Sequence, residues 1–208
     1  MIPKIIHQIW IGPKKAPEFM HTWEDNHPDY KYILWDEERI EKELFPLVNQ
    51  HIYDLYGKEE RQTWNGRSNP LRYEILYRYG GIYIDADTKS LKPLDEDFLN
   101  NDIFAAYMNE EKRNDRIATG VIGCVKNHEV MKKCIEVLNK ETKIKYPSFE
   151  FVGPVFFTKI IKNFDFKIKL YPSYYFYPEF LDGSKYDGDF EPYADHVWGQ
   201  TRNLYGKI

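Results

Sequence analysis

The sequence predicts an α/β fold, a sheet covered by helices, on three observations. Short apolar or β-branched runs alternate with segments of helical period along the chain. One junction between them is sharp: a helical stretch stops at Gly80-Gly81, and Ile82-Tyr83-Ile84 follows at once as a strand. A chain of 208 residues with 42% hydrophobic content can also bury one core without staples, so residues 1–208 are expected to form a single domain.

Taken in order, Lys4 to Trp10 is apolar and β-branched around His7 and Gln8, and reads as a buried first strand closed by the turn Ile11-Gly12-Pro13. A helix is expected from about Pro17 to Asn26, then a short alternating strand from Tyr30 to Trp35. Asp36 is placed to cap the next helix, and the helical stretch from Glu41 to Tyr56 is broken by Pro46. Asn69 before Pro70 reads as a helix start, a capping side chain followed by proline at the first helical position. Leu71, Ile75, Leu76 and Tyr79 then recur on one apolar face. Further strands are expected at Asp102 to Tyr107, Ile117 to Val125 and Lys167 to Tyr171. Helices are expected at His128 to Asn139 and at Val155 to Lys162, the second opened by Gly153-Pro154. Phe180 to Tyr193, rich in Gly, Asp and Tyr, reads as loop, with Val197-Trp198 in a short closing segment.

The net charge of −4 argues against a nucleic-acid partner, which would demand a basic footprint. It still allows a small anionic ligand whose charge a metal offsets. Cys124 and Cys134 form no C-x-x-C pair, so neither a zinc knuckle nor a disulfide framework is expected, and a reducing, cytoplasmic compartment fits. Met1 to His7 has no apolar leader, and no run is long enough to span a bilayer; peripheral membrane association stays open. No Walker glycine-lysine loop, H-E-x-x-H or G-x-S-x-G motif occurs, which argues against a P-loop kinase, a zincin and an α/β-hydrolase.

The chemistry concentrates at Asp85-Ala86-Asp87. Two carboxylates two residues apart repel unless a cation sits near them. Oxygen donors select Mg²⁺, Mn²⁺ or Ca²⁺ over zinc, and such ions are held by one or two carboxylates together with substrate phosphates. A tripeptide D-x-D is more often a solvated acid pair. Here it follows Ile82-Tyr83-Ile84 and so leaves the core at the carboxyl end of a strand, where α/β folds bind ligands.

The stretch from Arg67 through Ser68-Asn69-Pro70-Leu71-Arg72 and Tyr79-Gly80-Gly81-Ile82-Tyr83-Ile84 to Asp85-Ala86-Asp87 resembles the DXD sugar-binding region of family 32 glycosyltransferases, α-mannosyltransferases and capsular-polysaccharide transferases. The clostridial glucosylating toxins look like larger relatives. Ile2 to Gly12 is similar to that family's first strand, Gly153-Pro154 to its later helix start, and His196-Val197-Trp198 to its closing His-x-Trp segment. The resemblance implies a GT-A fold, a Rossmann-like mixed sheet flanked by helices, and retaining, metal-dependent transfer of a hexose from a nucleotide sugar. A UDP-sugar donor, Mn²⁺ or Mg²⁺, and a glycan or other hydroxyl acceptor, as in polysaccharide biosynthesis, are implied with it. By the same resemblance Asp87 would ligate the metal, and Asp85 would contact the donor and assist the metal through water. Arg72 would face the donor sugar or phosphate, Tyr83 would line the donor pocket, and Trp10 would stack on the base. Two positions depart from the family: Asn69 stands where an acid is usual, and Gly199-Gln200-Thr201-Arg202 replaces a Ser-Trp continuation. Asn69 keeps an acceptor for a sugar hydroxyl but loses the charge.

Other candidates keep two readings each. His196 is either a metal or diphosphate contact or a structural histidine; Trp198 either covers the nucleotide or closes the core. His7, in an apolar strand, reads as a hydrogen-bonded core histidine before a catalytic one. Arg202 is a phosphate contact or a surface arginine, and the aromatic run Tyr171 to Phe180 is an acceptor platform or core. Two rival functions compete with the transferase: a metal-dependent hydrolase of nucleotide sugars, and a non-catalytic sugar-binding module.

Overall fold

The computed structural model describes residues 1–58, 63–113, 116–144, 147–199 and 201–205. Gln200, one of the departures noted above, lies outside the described residues. In chain order the elements are β1 (Ile5–Ile9), α1 (Thr22–Asn26), β2 (Lys31–Trp35), α2 (Glu37–Glu43), α3 (Gln50–Lys58), α4 (Trp64–Tyr79), β3 (Gly81–Ile84), β4 (Thr88–Ser90), β5 (Ile103–Tyr107), α5 (Glu110–Arg113), β6 (Ile117–Cys124), α6 (Glu129–Leu138), α7 (Ser148–Phe151), α8 (Pro154–Asn163), β7 (Lys169–Tyr171) and β8 (Ala194–His196).

Six strands form a mixed sheet in the order β2-β1-β3-β6-β5-β7. The strand β1 runs parallel to β2 and β3, β6 runs antiparallel to β3 and β5, and β7 returns parallel to β5. Alternation along β3 divides the core. Ile82 and Ile84 face a layer built from Trp23, Phe98, Phe176 and Trp198, whereas Tyr83 faces the layer of α4, α6 and α8. Trp23 and Trp35 are fully buried with their indole N–H groups bonded to Thr88 O at 2.7 Å and His7 Nδ1 at 3.1 Å. Burying such a ring stabilises by about 2–3 kcal/mol, provided the polar edge is paired in this way. His7 is the core histidine of the two readings: Nε2 donates to Gly80 O at 2.8 Å while Nδ1 accepts from Trp35. Among the described residues no helix is long and apolar enough to cross a membrane.

The expected elements recur with shifted ends, and one expectation is corrected. Asn69-Pro70 does not start a helix. α4 begins at Trp64, and Pro70 lies inside it. A proline in a helix interior costs about 3 kcal/mol in isolation. Tertiary packing of the first turns outweighs that: Gly66 lies so close to Tyr56 of α3 that a Cβ would meet its ring at 2.3 Å, and the Arg67 guanidinium sits 4.6 Å above the Tyr53 ring. Asn69 therefore caps nothing; its Nδ2 donates back to Asn65 O at 2.6 Å. The far end of α4 follows expectation, with Gly80 at φ +67° and its N–H on Leu76 O at 2.9 Å. The ribbon β4–β8, which pairs Thr88 with His196 and Ser90 with Ala194, was not expected from the sequence.

Candidate active site

The end of β3 opens on a cleft of about 700 Å³ whose walls include Trp10, Asn69, Arg72, Tyr83, Asp85, Asp87, His196 and Trp198. The eight residues expected at the metal and donor sites thus meet at one cavity. α4 delivers Asn69 and Arg72, β3 delivers Tyr83 and the two acids, and the ribbon β4–β8 folds His196 back over them.

Arg72 organises the floor. Its Nη1 donates to Thr119 O at 2.5 Å, and its Nη2 donates to Asp85 Oδ1 at 2.7 Å and to the Tyr83 hydroxyl at 3.1 Å. The Tyr83 hydroxyl donates in turn to Asp85 Oδ1 at 2.9 Å, and the guanidinium stacks 4.2 Å from the Tyr83 ring centroid. Asp85 keeps 27% of its side chain exposed toward the cleft. Its burial opposes ionisation, but the Arg72 charge, aided by His196 and the Tyr83 hydroxyl, outweighs it and holds the carboxyl well below the usual carboxylate range. Asn69 shares the helix with Arg72 but makes none of these bonds, and its Oδ1 is buried without a partner.

Asp87 is fixed from behind. Its Oδ2 accepts from Gly199 N at 2.8 Å and its backbone carbonyl accepts from Val197 N at 2.9 Å. His196 Nε2 lies 3.2 Å from Asp87 Oδ1 and 3.6 Å from Asp85 Oδ2. Burial disfavours its imidazolium, yet the charges of Asp87 and Asp85 win and raise its pKa. Because Trp198 N donates to His196 Nδ1 at 3.1 Å, the ring hydrogen sits on Nε2, between the acids. It supplies the positive or donating group that two neighbouring carboxylates demand.

A divalent cation fits the same place. Asp85, Asp87 and His196 each present one ligand atom, all within 4.8 Å of one another. Two carboxylate oxygens and an imidazole nitrogen can hold a divalent cation, with further positions left for phosphate oxygens and water. An ion there would replace the His196 proton as the neutralising charge.

Trp10 and Trp198 both line the cleft. The Trp10 indole N–H donates to Lys14 O at 2.9 Å, and its ring meets Tyr205 edge-on at 5.1 Å. Trp198, at φ +58°, donates from its indole to Glu179 O at 2.7 Å and packs on His196 at 4.5 Å. Arg202 is not aimed at the acids: it pairs with Glu179 at 2.7 Å. The sequence reading missed Tyr177, Thr119, Gly120 and Tyr205, which also line the cleft. Gly120 carried one signal, since glycine inside a strand marks a close approach; Tyr177 was covered only as one ring of the run Tyr171 to Phe180, and Thr119 and Tyr205 carried none.

Residues 13–107 match the family described as "Glycosyltransferase sugar-binding region containing DXD motif". The chain is a relative of the DXD-containing glycosyltransferases. It is 38% identical over 101 residues to inositol phosphoceramide mannosyltransferase 3 of Schizosaccharomyces pombe, covering 45% of this chain and 26% of that protein. To inositol phosphoceramide mannosyltransferase 2 of the same yeast it is 32% identical over 155 residues, covering 69% and 40%. The chain thus spans less than half the length of each of these curated relatives. Among solved structures, the PaToxG glycosyltransferase superposes with a TM-score of 0.61 at 19% identity, over 78% of this chain and 68% of that one. The catalytic domain of alpha-toxin from Clostridium novyi does so with a TM-score of 0.52 at 10% identity, over 98% and 76%. At such identities the likeness speaks for the fold, and the fold of this DXD glycosyltransferase relative is the expected GT-A type.

Proposed function

We propose that the chain is a retaining, metal-dependent hexosyltransferase that takes a sugar from a nucleotide-sugar donor and passes it to a hydroxyl acceptor. The observation that carries this reading is the convergence of Asp85, Asp87 and His196 at the mouth of β3, facing a cleft of about 700 Å³. The reading treats residues 1–208 as one catalytic domain, supported by a single six-stranded sheet drawing on strands from β1 to β7.

Asp85 and Asp87 would hold Mn²⁺ or Mg²⁺, with His196 as the third ligand. When bound, the ion supplies positive charge to the diphosphate as it leaves. Arg72 engages Asp85 through Oδ1, which leaves Oδ2 facing the cleft and brings a fixed cation close to the developing negative charge. Trp10 offers a flat face for the base, and Asn69 Oδ1 offers an acceptor to a sugar hydroxyl. Trp198 shields the pair of acids from bulk water. As the bond to the diphosphate breaks and the sugar carbon gains oxocarbenium character, an acceptor hydroxyl attacks from the same side and gives its proton to the departing diphosphate oxygen. A UDP-hexose is the first donor to test by family resemblance. The relatives named as mannosyltransferases put a mannose donor beside it. A reducing, cytoplasmic setting is supported by Cys124 and Cys134, both free and buried.

A thermal-shift screen of UDP-glucose, UDP-galactose and GDP-mannose, with Mn²⁺ and with EDTA, tests the reading. Ligand at a hundred times its Kd stabilises by about 2.7 kcal/mol, so a true donor raises Tm clearly and only with metal. Equal stabilisation in EDTA contradicts metal dependence. Free hexose released equally fast with and without acceptors contradicts transfer and favours hydrolysis.

A further inference from the structure

Among the described residues, three buried polar side-chain atoms of this one cleft make no well-formed hydrogen bond: Asn69 Oδ1, Arg72 Nε and the Tyr177 hydroxyl, whose oxygen faces the Val121 backbone N–H and whose hydrogen has no acceptor. Folded proteins leave few such atoms, because each forfeits about 1–3 kcal/mol of hydration. Their concentration at one cavity points to a ligand that satisfies them. Tyr177 is the least expected of the three. Its residue is only 5% exposed, and its ring is wedged between His196 at 5.3 Å and Trp198 at 5.7 Å. That packing fixes where the hydroxyl points.

Gly120 shows what lies in front of it. A Cβ added there would come within 2.7 Å of Asp85 Oδ2 and 2.8 Å of the Tyr177 hydroxyl. Both oxygens therefore crowd the bare face of Gly120, which has no room for a side chain, and they lie near enough to each other for one hydroxyl to reach both. Asp85 is held through Oδ1 by Arg72 and Tyr83, so Oδ2 is the oxygen left for a ligand. An ionised carboxylate only accepts, whereas a phenol both donates and accepts. A sugar hydroxyl can meet both demands at one oxygen, donating to Asp85 and accepting from Tyr177.

We infer that Tyr177 is a sugar-binding residue: its hydroxyl donates to one hydroxyl of the donor hexose, which donates to Asp85 Oδ2 and so bridges the two oxygens beside Gly120. This rests on the donor reading above and adds a specificity element to it. A donor lacking that hydroxyl would leave two buried oxygens unpaired, so discrimination falls on the sugar and not on the nucleotide.

The test uses Tyr177→Phe, which keeps the ring and removes only the hydroxyl. Affinities for the best of UDP-glucose, UDP-galactose and GDP-mannose, and for the matching nucleoside diphosphate, are measured with Mn²⁺ by titration calorimetry. The variant is expected to bind the nucleotide sugar about tenfold more weakly and the nucleoside diphosphate unchanged. Its ligand-free Tm is expected to hold, since the hydroxyl makes no well-formed hydrogen bond within the protein. Gly120→Ala, whose Cβ would press on Asp85 Oδ2 as well as on the Tyr177 hydroxyl, is expected to weaken the nucleotide sugar and the diphosphate alike, which sets it apart from the selective loss in Tyr177→Phe. Sugar-nucleotide affinity that is unchanged in Tyr177→Phe, or that falls equally with that of the diphosphate, overturns the assignment. Wild-type protein that binds the diphosphate but none of the three sugars overturns it too, whereas wild-type protein that binds neither sinks the donor reading itself.

Discussion

Arg72 Nη2 donates to Asp85 Oδ1 at 2.7 Å, and the two side chains are only 4% and 27% exposed. This ion pair joins the longest helix, α4, to the tip of β3, and it sets which carboxylate oxygen faces the cleft.

Arg72→Lys is expected to break that arrangement. Lysine lacks the fork that reaches Thr119 O, Tyr83 and Asp85 together. Removing one partner of a fully buried pair costs about 3–5 kcal/mol, and the partial exposure of Asp85 together with the charge that lysine keeps moves the expectation below that range. Urea denaturation should show a loss of about 2–3 kcal/mol, together with loss of donor turnover. A variant with wild-type stability would mean the pair contributes little to the fold.

His7 predicts a pH dependence of stability. Burial pushes its pKa down to about 4 from 6.5. Between those values the unfolded chain binds more protons than the folded one. Stability from this group is therefore complete above pH 6.5 and declines as pH falls toward 4. The decline from pH 7 to 4.5 should be about 2 kcal/mol. His7→Asn, compared with wild type by denaturant unfolding at both pH values, should flatten that slope by the same amount. An equal slope in both proteins would contradict the neutral, doubly bonded ring.

Asn69→Asp restores the acid usual in the family and tests what the substitution does. The Oδ1 position has no partner, so a charge there is buried unpaired. The ligand-free Tm should fall by several degrees, and the order of preference among UDP-glucose, UDP-galactose and GDP-mannose should change in a binding screen. An unchanged Tm would show that Arg72 turns to meet the new carboxylate.

The acid pair, the Gly80-Gly81 stop and the Gly153-Pro154 helix start were legible because each is a local pattern whose chemistry lies in neighbouring residues. So was the gathering of Asn69, Arg72, Tyr83, Asp85 and Asp87, carried by one helix and the strand after it. The start of α4 was not legible. Asn69-Pro70 is a strong local signal, and only the contact of Gly66 with Tyr56, two elements meeting in space, overrides it. β4 and β8 are three residues each, too short for a period to emerge, and they pair across more than 100 positions. Tyr177 sat inside an aromatic run that reads equally as core; what distinguishes it is a hydroxyl without a well-formed hydrogen bond, a property of the folded surroundings.

The central claim is that Asp85 and Asp87 grip a divalent cation, and Mn²⁺ binding followed by electron paramagnetic resonance tests it most directly. Free Mn²⁺ is titrated with wild-type protein, Asp85→Asn and Asp87→Asn, each with a nucleoside diphosphate and each confirmed folded by circular dichroism. Wild type should quench the free-ion signal at one equivalent, and both variants should need at least about tenfold more protein, as expected when a ligand carboxylate is lost. Folded variants that titrate like wild type would contradict the account.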